Sequence, residues 1–173
     1  MESNEEARAE FRRIVDKIPA EKVYYIDESG IDKYLYREYG YAIRGKPVVG
    51  KISGKKYMRT NIVAATCRGA IVAPMLYEGT TNRVLFECWF VKMLLPSIPK
   101  HSTLVMDNAS FHNKNKLREL AANAECEVLF LPPYSPDLNP IEFFWAWLKR
   151  TLRSILPRFD NLLDALVDCF HAN

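Results

Sequence analysis

The apolar residues at the start of the chain follow a helical spacing, which Pro19 ends. The residues that share one face of this predicted helix, within positions 5–18, are Ala7, Phe11, Ile14, Val15 and Ile18. Four runs rich in β-branched and aromatic residues come next, bounded by glycine, proline or basic residues, so each predicts a strand. The runs are VYYIDESGI at 23–31, YLYREYGYAIRG at 34–45, NIVAATC at 61–67 and AIVAPMLYEG at 70–79.

The second half of the chain alternates between helical and strand patterns. The helical segments are TTNRVLFECWFVKMLLPSI at 80–98, NKNKLRELAANA at 113–124, NPIEFFWAWLKRTLRSIL at 139–156 and residues 161–170. Between them, STLVMDNAS at 102–110 and EVLFLPP at 127–133 are typical of short buried strands. Neighbouring hairpin strands followed by strand–helix alternation predict an α/β fold with a mixed central β-sheet flanked by helices.

Composition limits the class of protein but does not identify it. With 173 residues, 49% of them hydrophobic, the chain suits one folded domain rather than a disordered segment. The net charge of +3 permits a nucleic-acid partner but does not require one. The charged N-terminus has no apolar core of a signal peptide, and no apolar run is long enough for a membrane span. We therefore expect a cytoplasmic protein without a membrane partner.

The cysteines indicate neither a zinc site nor a disulfide framework. They lie at Cys67, Cys88, Cys126 and Cys169, so no C-x-x-C pair exists, and the three histidines are not at ligand spacing from them. Free thiols in a reducing compartment are the expectation.

Three acidic residues directly follow apolar strand residues or lie at the start of a predicted helix. Asp27 and Asp107 each follow an apolar strand run, and Glu142 is the third residue of the last long helix, counted from Pro140. Prolines before Glu142 restrict the path of the chain that delivers it. A structural alternative exists for each residue, because an Asp after a strand can cap a turn and Glu142 can close a capping box with Asn139.

Carboxylates that converge on one place need a counter-charge. At about 4 Å and an effective dielectric near 20, each like-charged pair costs about 4 kcal/mol. A divalent cation removes this repulsion, and oxygen ligands alone suit Mg²⁺ or Mn²⁺ rather than zinc. Two such ions about 3.5–4 Å apart promote phosphoryl transfer, so the chemistry indicated is metal-assisted attack on a phosphodiester.

The strings YIDESG, LVMDNASFH and PPYSPDLNPIEFFWAWLKR resemble the catalytic domain of bacterial insertion-sequence DDE transposases of the mariner superfamily. Thirty-four residues separate Asp107 from Glu142, a gap characteristic of that group, and the resemblance covers about residues 23–156. It implies an RNase H-like fold, with Asp27, Asp107 and Glu142 as a catalytic triad that binds two Mg²⁺ or Mn²⁺ ions. It also implies that Asn108 and His112 touch the scissile phosphate or orient a ligand.

Several neighbouring residues have competing interpretations. His112 can equally be a helix N-terminal or a surface residue, and Asn139 is expected to be structural. Glu28 points away from Asp27 on a strand, so the two cannot easily bind one ion. Two basic clusters are candidates for DNA phosphate contacts, with a solvated surface as the alternative; they comprise Lys51, Lys55, Lys56 and Arg59, and then Lys149, Arg150 and Arg153. The aromatic residues Phe143, Phe144, Trp145 and Trp147 are expected in the core.

The resemblance also implies partners and a sequence of reactions. The enzyme would cut double-stranded DNA at transposon ends and transfer the strands into target DNA, as a homodimer in the bacterial nucleoid. Residues 1–20 would form an N-terminal helix or leader before a catalytic domain at 21–173. No helix-turn-helix domain fits before residue 23, so a separately encoded N-terminal DNA-binding half is expected. The alternatives are a nuclease that never joins strands, an inactive DNA-binding remnant, and a metal phosphatase.

Overall fold

A computed structural model describes residues 2–31 and 59–171 of the chain. The strand predicted at 34–45 and the lysines Lys51, Lys55 and Lys56 lie outside these residues. The strands are β1 (Val23–Ile31), β2 (Thr60–Cys67), β3 (Ala70–Glu78), β4 (Thr103–Met106) and β5 (Glu127–Phe130). The α-helices are α1 (Glu2–Val15), α2 (Arg83–Trp89), α3 (Lys114–Asn123), α4 (Ile141–Ile155) and α5 (Leu162–His171). Helix α2 continues through a π-helical turn, Phe90–Leu94, and a 3₁₀ turn, Leu95–Ser97.

The five described strands form one mixed sheet in the order β3-β2-β1-β4-β5. Strands β1, β2 and β3 pair antiparallel, whereas β1, β4 and β5 pair parallel. Arg68 and Gly69 connect β2 to β3 with positive φ angles of 51° and 86°, as a two-residue hairpin turn requires. The mixed α/β sheet that the order of patterns predicted is confirmed.

Helices cover both faces of the sheet. The α2–α3 side buries Tyr24, Ile26, Phe86, Trp89, Leu104 and Leu117. The α4–α5 side buries Ile31, Ile62, Trp145, Leu148, Leu162 and Leu166. Since successive strand residues face opposite sides, Ile26 points to the first layer and Asp27 to the second. This alternation places Asp27 under helix α4.

Helix α1 packs on the sheet through a narrower face than its sequence predicted. Phe11 is buried in a cluster with Val23, Val105 and Leu131. Ala7 and Ile14 of the predicted face are exposed, so fewer residues of α1 pack on the sheet than the pattern predicted. No described helix is both long and apolar enough to cross a membrane. The four cysteines are free thiols, as expected.

Two predictions of burial are wrong. Phe143 is 75% exposed, because it lies off the apolar stripe by which α4 packs on the sheet. Strand β5 was expected to be buried, but Glu127 is exposed and the rest of the strand is half-buried. The reason is its position at the sheet edge, where Lys114 and Arg118 instead cover the ring of Phe130, each 5.1 Å from its centroid.

Candidate active site

The three predicted carboxylates line one cleft of about 440 Å³. Strands β1 and β4 are parallel neighbours whose register pairs Tyr25 with Val105. Two residues further along both strands, Asp27 and Asp107 therefore come side by side. Glu142 joins them from the first turn of α4, with its side chain exposed to the cleft. Residues that are far apart in sequence thus meet at the carboxyl end of the parallel strands, where α/β sheets commonly bind ligands.

The pKa of the Asp27 carboxyl reflects its position among the other carboxylates. Burial raises the pKa of its carboxyl to about 7, and the nearby charges of Glu142 and Asp107 contribute to the rise. A hydrogen bond from Trp145 Nε1 to Asp27 Oδ2, 3.0 Å long, acts in the opposite direction. The carboxylates are therefore close enough to repel one another, and Trp145 holds one of the Asp27 oxygens in place.

Asp107 is held ionised by two donors. His112 Nε2 lies 3.4 Å from Asp107 Oδ1, and the amide of Ala109 donates to the same oxygen at 3.0 Å. The bond from His112 is the largest cause of the lowered pKa of Asp107. The His112 side chain is only 2% exposed, and its ring lies 4.3 Å from the rings of both Phe86 and Phe111. Because His112 is buried, the surface alternative is wrong, and its contact with Asp107 suits an orienting role, which stays a prediction.

Two asparagines next to the carboxylates anchor backbone. The Asn108 side-chain amide donates to the carbonyl of Leu131 and ties the end of β4 to the end of β5. The Asn139 side-chain amide donates to the carbonyl of Ile26 at 3.4 Å, and Asn139 is buried. These bonds hold the backbone beside Asp107 and Glu142. Asn139 thus has the structural role that its sequence position predicted.

Glu142 does not take the capping arrangement that its position allowed. Its backbone amide donates to the Asn139 carbonyl at 3.1 Å. Within the described part of the chain, no hydrogen bond joins the Glu142 carboxylate to the Asn139 amide, and the Asn139 side chain points towards β1. The Glu142 carboxylate therefore faces the cleft.

Glu28 lies on the other face of β1, as its strand position predicted. Burial raises the pKa of its carboxyl to about 8, with smaller contributions from Asp27 and Asp107. Among the residues that the structure describes, its Oε1 atom is buried without a hydrogen-bond partner. Glu28 is not among the residues that line the cleft.

The sequence carried no signal for the contact between α1 and the cleft wall. Arg8 Nη1 donates to Ser135 Oγ and to Asp137 Oδ1, both at 3.0 Å, and Nη2 pairs with Asp137 Oδ2. Arg8 also lowers the pKa of Asp137. Because Ser135 lines the same cleft as the carboxylates, α1 fixes the position of the wall.

Replacing Arg8 with Gln is expected to slow metal-dependent DNA nicking about 10-fold, because the cleft wall loses its anchor. Amide hydrogen exchange over residues 132–138 should become faster. Arg13→Gln is the matched control, since Arg13 pairs only with its helix neighbour Glu10, at 3.6 Å, within the described residues. Unchanged nicking and exchange in the Arg8 variant would show that α1 plays no part in the site.

The predicted DNA-contact residues that the structure describes do not line the cleft, and they differ in exposure. Arg59 is exposed, and its guanidinium lies against Gly30, where a Cβ atom would come within 1.8 Å of Arg59 Nε. Lys149 is half-buried, whereas Arg150 and Arg153 are exposed. At about 100° per residue, Lys149 and Arg153 return to within roughly 20° of the helix face that carries Glu142. Helix α4 thus presents a basic stripe that leads away from the cleft.

The carboxylate oxygens of Asp27, Asp107 and Glu142 suit a divalent cation that is bound by two carboxylates at a time. Among residues 2–31 and 59–171, no three His, Cys, Asp or Glu side chains are arranged to hold one ion together. Mg²⁺ in phosphoryl-transfer sites is usually bound through one or two carboxylates, completed by water and substrate phosphates. The oxygen-only donors match that kind of site. The raised pKa of Asp27, which is caused mainly by burial and increased by the charges of Glu142 and Asp107, also matches it.

Comparisons with known proteins agree with this geometry. The structure of a pre-cleavage Mos1 transpososome superposes with a TM-score of 0.76 at 20% identity, covering 98% of this chain and 54% of that one. The Mos1 mariner transposase catalytic domain gives a TM-score of 0.67 at 19% identity, covering 98% of this chain and 79% of that one. These similarities establish the RNase H-like fold, although this chain spans only about half of the transpososome chain.

Sequence comparison places the chain in a family. An uncharacterised protein, y4pE/y4sA of Sinorhizobium fredii, is 37% identical over 49 residues, which are 28% of this chain and 34% of that protein. The family model for DDE superfamily endonucleases matches residues 22–163, which include Asp27, Asp107 and Glu142. Since this match spans most of the chain and the fold is that of a mariner transposase catalytic domain, the chain belongs to the DDE superfamily of endonucleases.

Proposed function

We propose that this chain is the catalytic domain of a mariner-like transposase that cuts DNA at the ends of a mobile element and joins them to target DNA. The observation that carries the proposal is the convergence of Asp27, Asp107 and Glu142 on one cleft. The family match supports endonuclease chemistry, and similar structures include a Mos1 strand transfer complex and a Mos1 paired-end complex with a left transposon end.

Asp27, Asp107 and Glu142 are the proposed ligands of two Mg²⁺ or Mn²⁺ ions. Similar structures of the Mos1 paired-end complex contain Mn or Mg, which supports the choice of metal. The bound cations would stabilise the attacking and leaving oxygens of the phosphodiester. His112 keeps Asp107 ionised and oriented, and Trp145 holds Asp27 Oδ2, so both positions are preorganised for binding.

Two phosphoryl transfers complete the proposed reaction. Water attacks a phosphodiester at the element end, the bond from phosphorus to the 3′ oxygen breaks, and a 3′-hydroxyl and a 5′-phosphate result. That 3′-hydroxyl then attacks a target phosphodiester and displaces a target 3′ oxygen, so the joined strand forms without an external energy source. Positioning and charge stabilisation are sufficient for this chemistry, and no covalent enzyme intermediate is needed.

The proposed partner is double-stranded DNA, which Arg59, Lys149, Arg150 and Arg153 would contact through phosphates. Two element ends require two active sites, so we propose a homodimer on DNA. We also propose that a separately encoded N-terminal half recognises the ends and that residues 1–20 form a leader to the catalytic domain. The protein would act in the bacterial cytoplasm, at the nucleoid.

A joining assay distinguishes a transposase from the alternative functions. A pre-cut duplex that ends in the element's terminal repeat is incubated with supercoiled plasmid and Mn²⁺. A transposase covalently joins the duplex to the plasmid, and EDTA abolishes the joined product. Nicked plasmid without joined product would indicate a nuclease instead. DNA binding without either product would indicate an inactive remnant and overturn the proposal.

A further inference from the structure

Tyr134 is an exposed aromatic residue on the wall of the catalytic cleft. Its side chain is 95% exposed, although it lines the same cleft as Asp27, Asp107 and Glu142. Within the part of the chain that the structure describes, no hydrogen bond or ring contact engages it. Large aromatic side chains normally contribute to stability by burial, so this ring contributes little to the fold.

The backbone around Tyr134 is held in an uncommon conformation. Tyr134 has a φ angle of 54°, in the left-handed region that bulky L residues disfavour. Ser135, the next residue, is buried, donates to the Pro133 carbonyl at 3.2 Å and accepts from Arg8 Nη1 at 3.0 Å. Strain that the surrounding contacts enforce is typical of functional positions, and here it directs a rigid ring away from the protein.

The chemistry of this wall favours a base over a phosphate. The segment Pro132–Pro136 contains three prolines, one tyrosine and one serine, and no basic residue. Arg8, which contacts this wall at Ser135, already pairs with Asp137. A neutral, rigid aromatic surface suits the face of a nucleobase, because every base can stack on it irrespective of sequence.

We propose that Tyr134 is a stacking platform for an unpaired nucleobase next to the scissile phosphate. The inference rests on the proposed function, which places a phosphodiester at the carboxylates in the same cleft. A base at a strand end costs least to unstack from its duplex, so a ring that captures it would hold the end for cutting and joining. Tyr134 would then position the substrate and leave the chemistry to the carboxylates.

Fluorescence of 2-aminopurine tests this contact without any cleavage. The probe is a duplex with a single-stranded 3′ overhang that carries the fluorescent base, bound in Ca²⁺ at low salt. Wild type and Tyr134→Phe are expected to quench the fluorescence. Tyr134→Asn removes the ring but tolerates the left-handed backbone, so it should fold normally, fail to quench, and bind the overhang at least about 5-fold more weakly.

A blunt duplex without unpaired bases is the matched control, and its affinity should change less than about 2-fold in Tyr134→Asn. Quenching by Tyr134→Asn at the wild-type level, or equal weakening on both duplexes, would overturn the proposal. The proposal would also be overturned if wild type did not bind the overhang, or if it did not quench the fluorescence when anisotropy shows that binding is saturated. Absent quenching by wild type that still nicks DNA in a metal-dependent way refutes only the stacking role. Quenching by wild type that does not nick DNA refutes only the proposed function.

Discussion

Replacing Asp27 with Asn is expected to abolish metal-dependent nicking while it makes the folded chain more stable. Asn has the size of Asp but lacks the charge that a divalent cation requires. Loss of several kcal/mol of transition-state stabilisation corresponds to a rate decrease of about 100-fold or more. Because Asn can still accept the hydrogen bond from Trp145, the surrounding packing should persist.

The gain in stability follows from the sign of the pKa shift. The pKa of Asp27 rises from 3.8 to about 7 on folding, which corresponds to about 4 kcal/mol. Between these pH values the folded state holds a proton that the unfolded state has released, so stability decreases as pH rises from 4 to 7. The variant should therefore gain up to about 4 kcal/mol at pH 8 and little near pH 4.

Urea unfolding at pH 5 and pH 8 in EDTA, with plasmid nicking in Mn²⁺, measures both effects. Mn²⁺ should stabilise wild type at pH 8 and leave the variant unchanged. Asp160→Asn is the matched control, because Asp160 is exposed and outside the cleft. If Asp27→Asn still nicks DNA, Asp27 is not a metal ligand. If its stability at pH 8 equals that of wild type, burial and the neighbouring carboxylates do not raise the pKa of Asp27 as described.

Substitution of His112 is expected to have the second largest effect. His112→Ala should reduce nicking 10- to 100-fold, because Asp107 loses its principal donor. The same change removes a buried ring from between Phe86 and Phe111, so it should destabilise the chain by about 2–4 kcal/mol. Loss of activity in this variant alone would not separate orientation from packing.

Two further variants separate these contributions. His112→Phe fills the space without a donor, so stability should largely return while nicking and the apparent affinity for Mn²⁺ stay low. His112→Gln keeps an amide donor that can reach Asp107, so it should recover part of the nicking rate and part of the affinity for Mn²⁺. Full activity in His112→Phe would mean that the ring only packs, and the proposed orientation of Asp107 would be wrong.

Local patterns were sufficient to predict most elements, whereas the triad was assigned from the resemblance to DDE transposases. The β-branched run at 23–31 corresponds to β1, and the bounds of α4 follow from Pro140 and its apolar stripe. Asp27 and Asp107 stand out because each directly follows apolar strand residues, and Glu142 stands out because it lies at the start of a helix. The predicted RNase H-like fold is confirmed, whereas the catalytic roles of the triad stay a prediction.

The surroundings of the triad depend on contacts that no local pattern encodes. Arg8 reaches Ser135 across 127 residues, and His112 Nε2 meets Asp107 only because the segment after β4 folds back under α2. The exposure of Phe143 and Tyr134 likewise depends on which helix face the sheet covers and on the strain of one backbone angle.

The sequence by itself determined the elements, the mixed order of strands and the residue types that suit a divalent cation, because periodicity and turn chemistry act between near neighbours. Only the tertiary structure decided that β1 and β4 are adjacent and in the register that brings Asp27 beside Asp107. It alone decided which donors hold these carboxylates and which aromatic ring is left exposed at the cleft. These features arise from the packing of distant segments, and a pattern along the chain contains no information about which segments pack together.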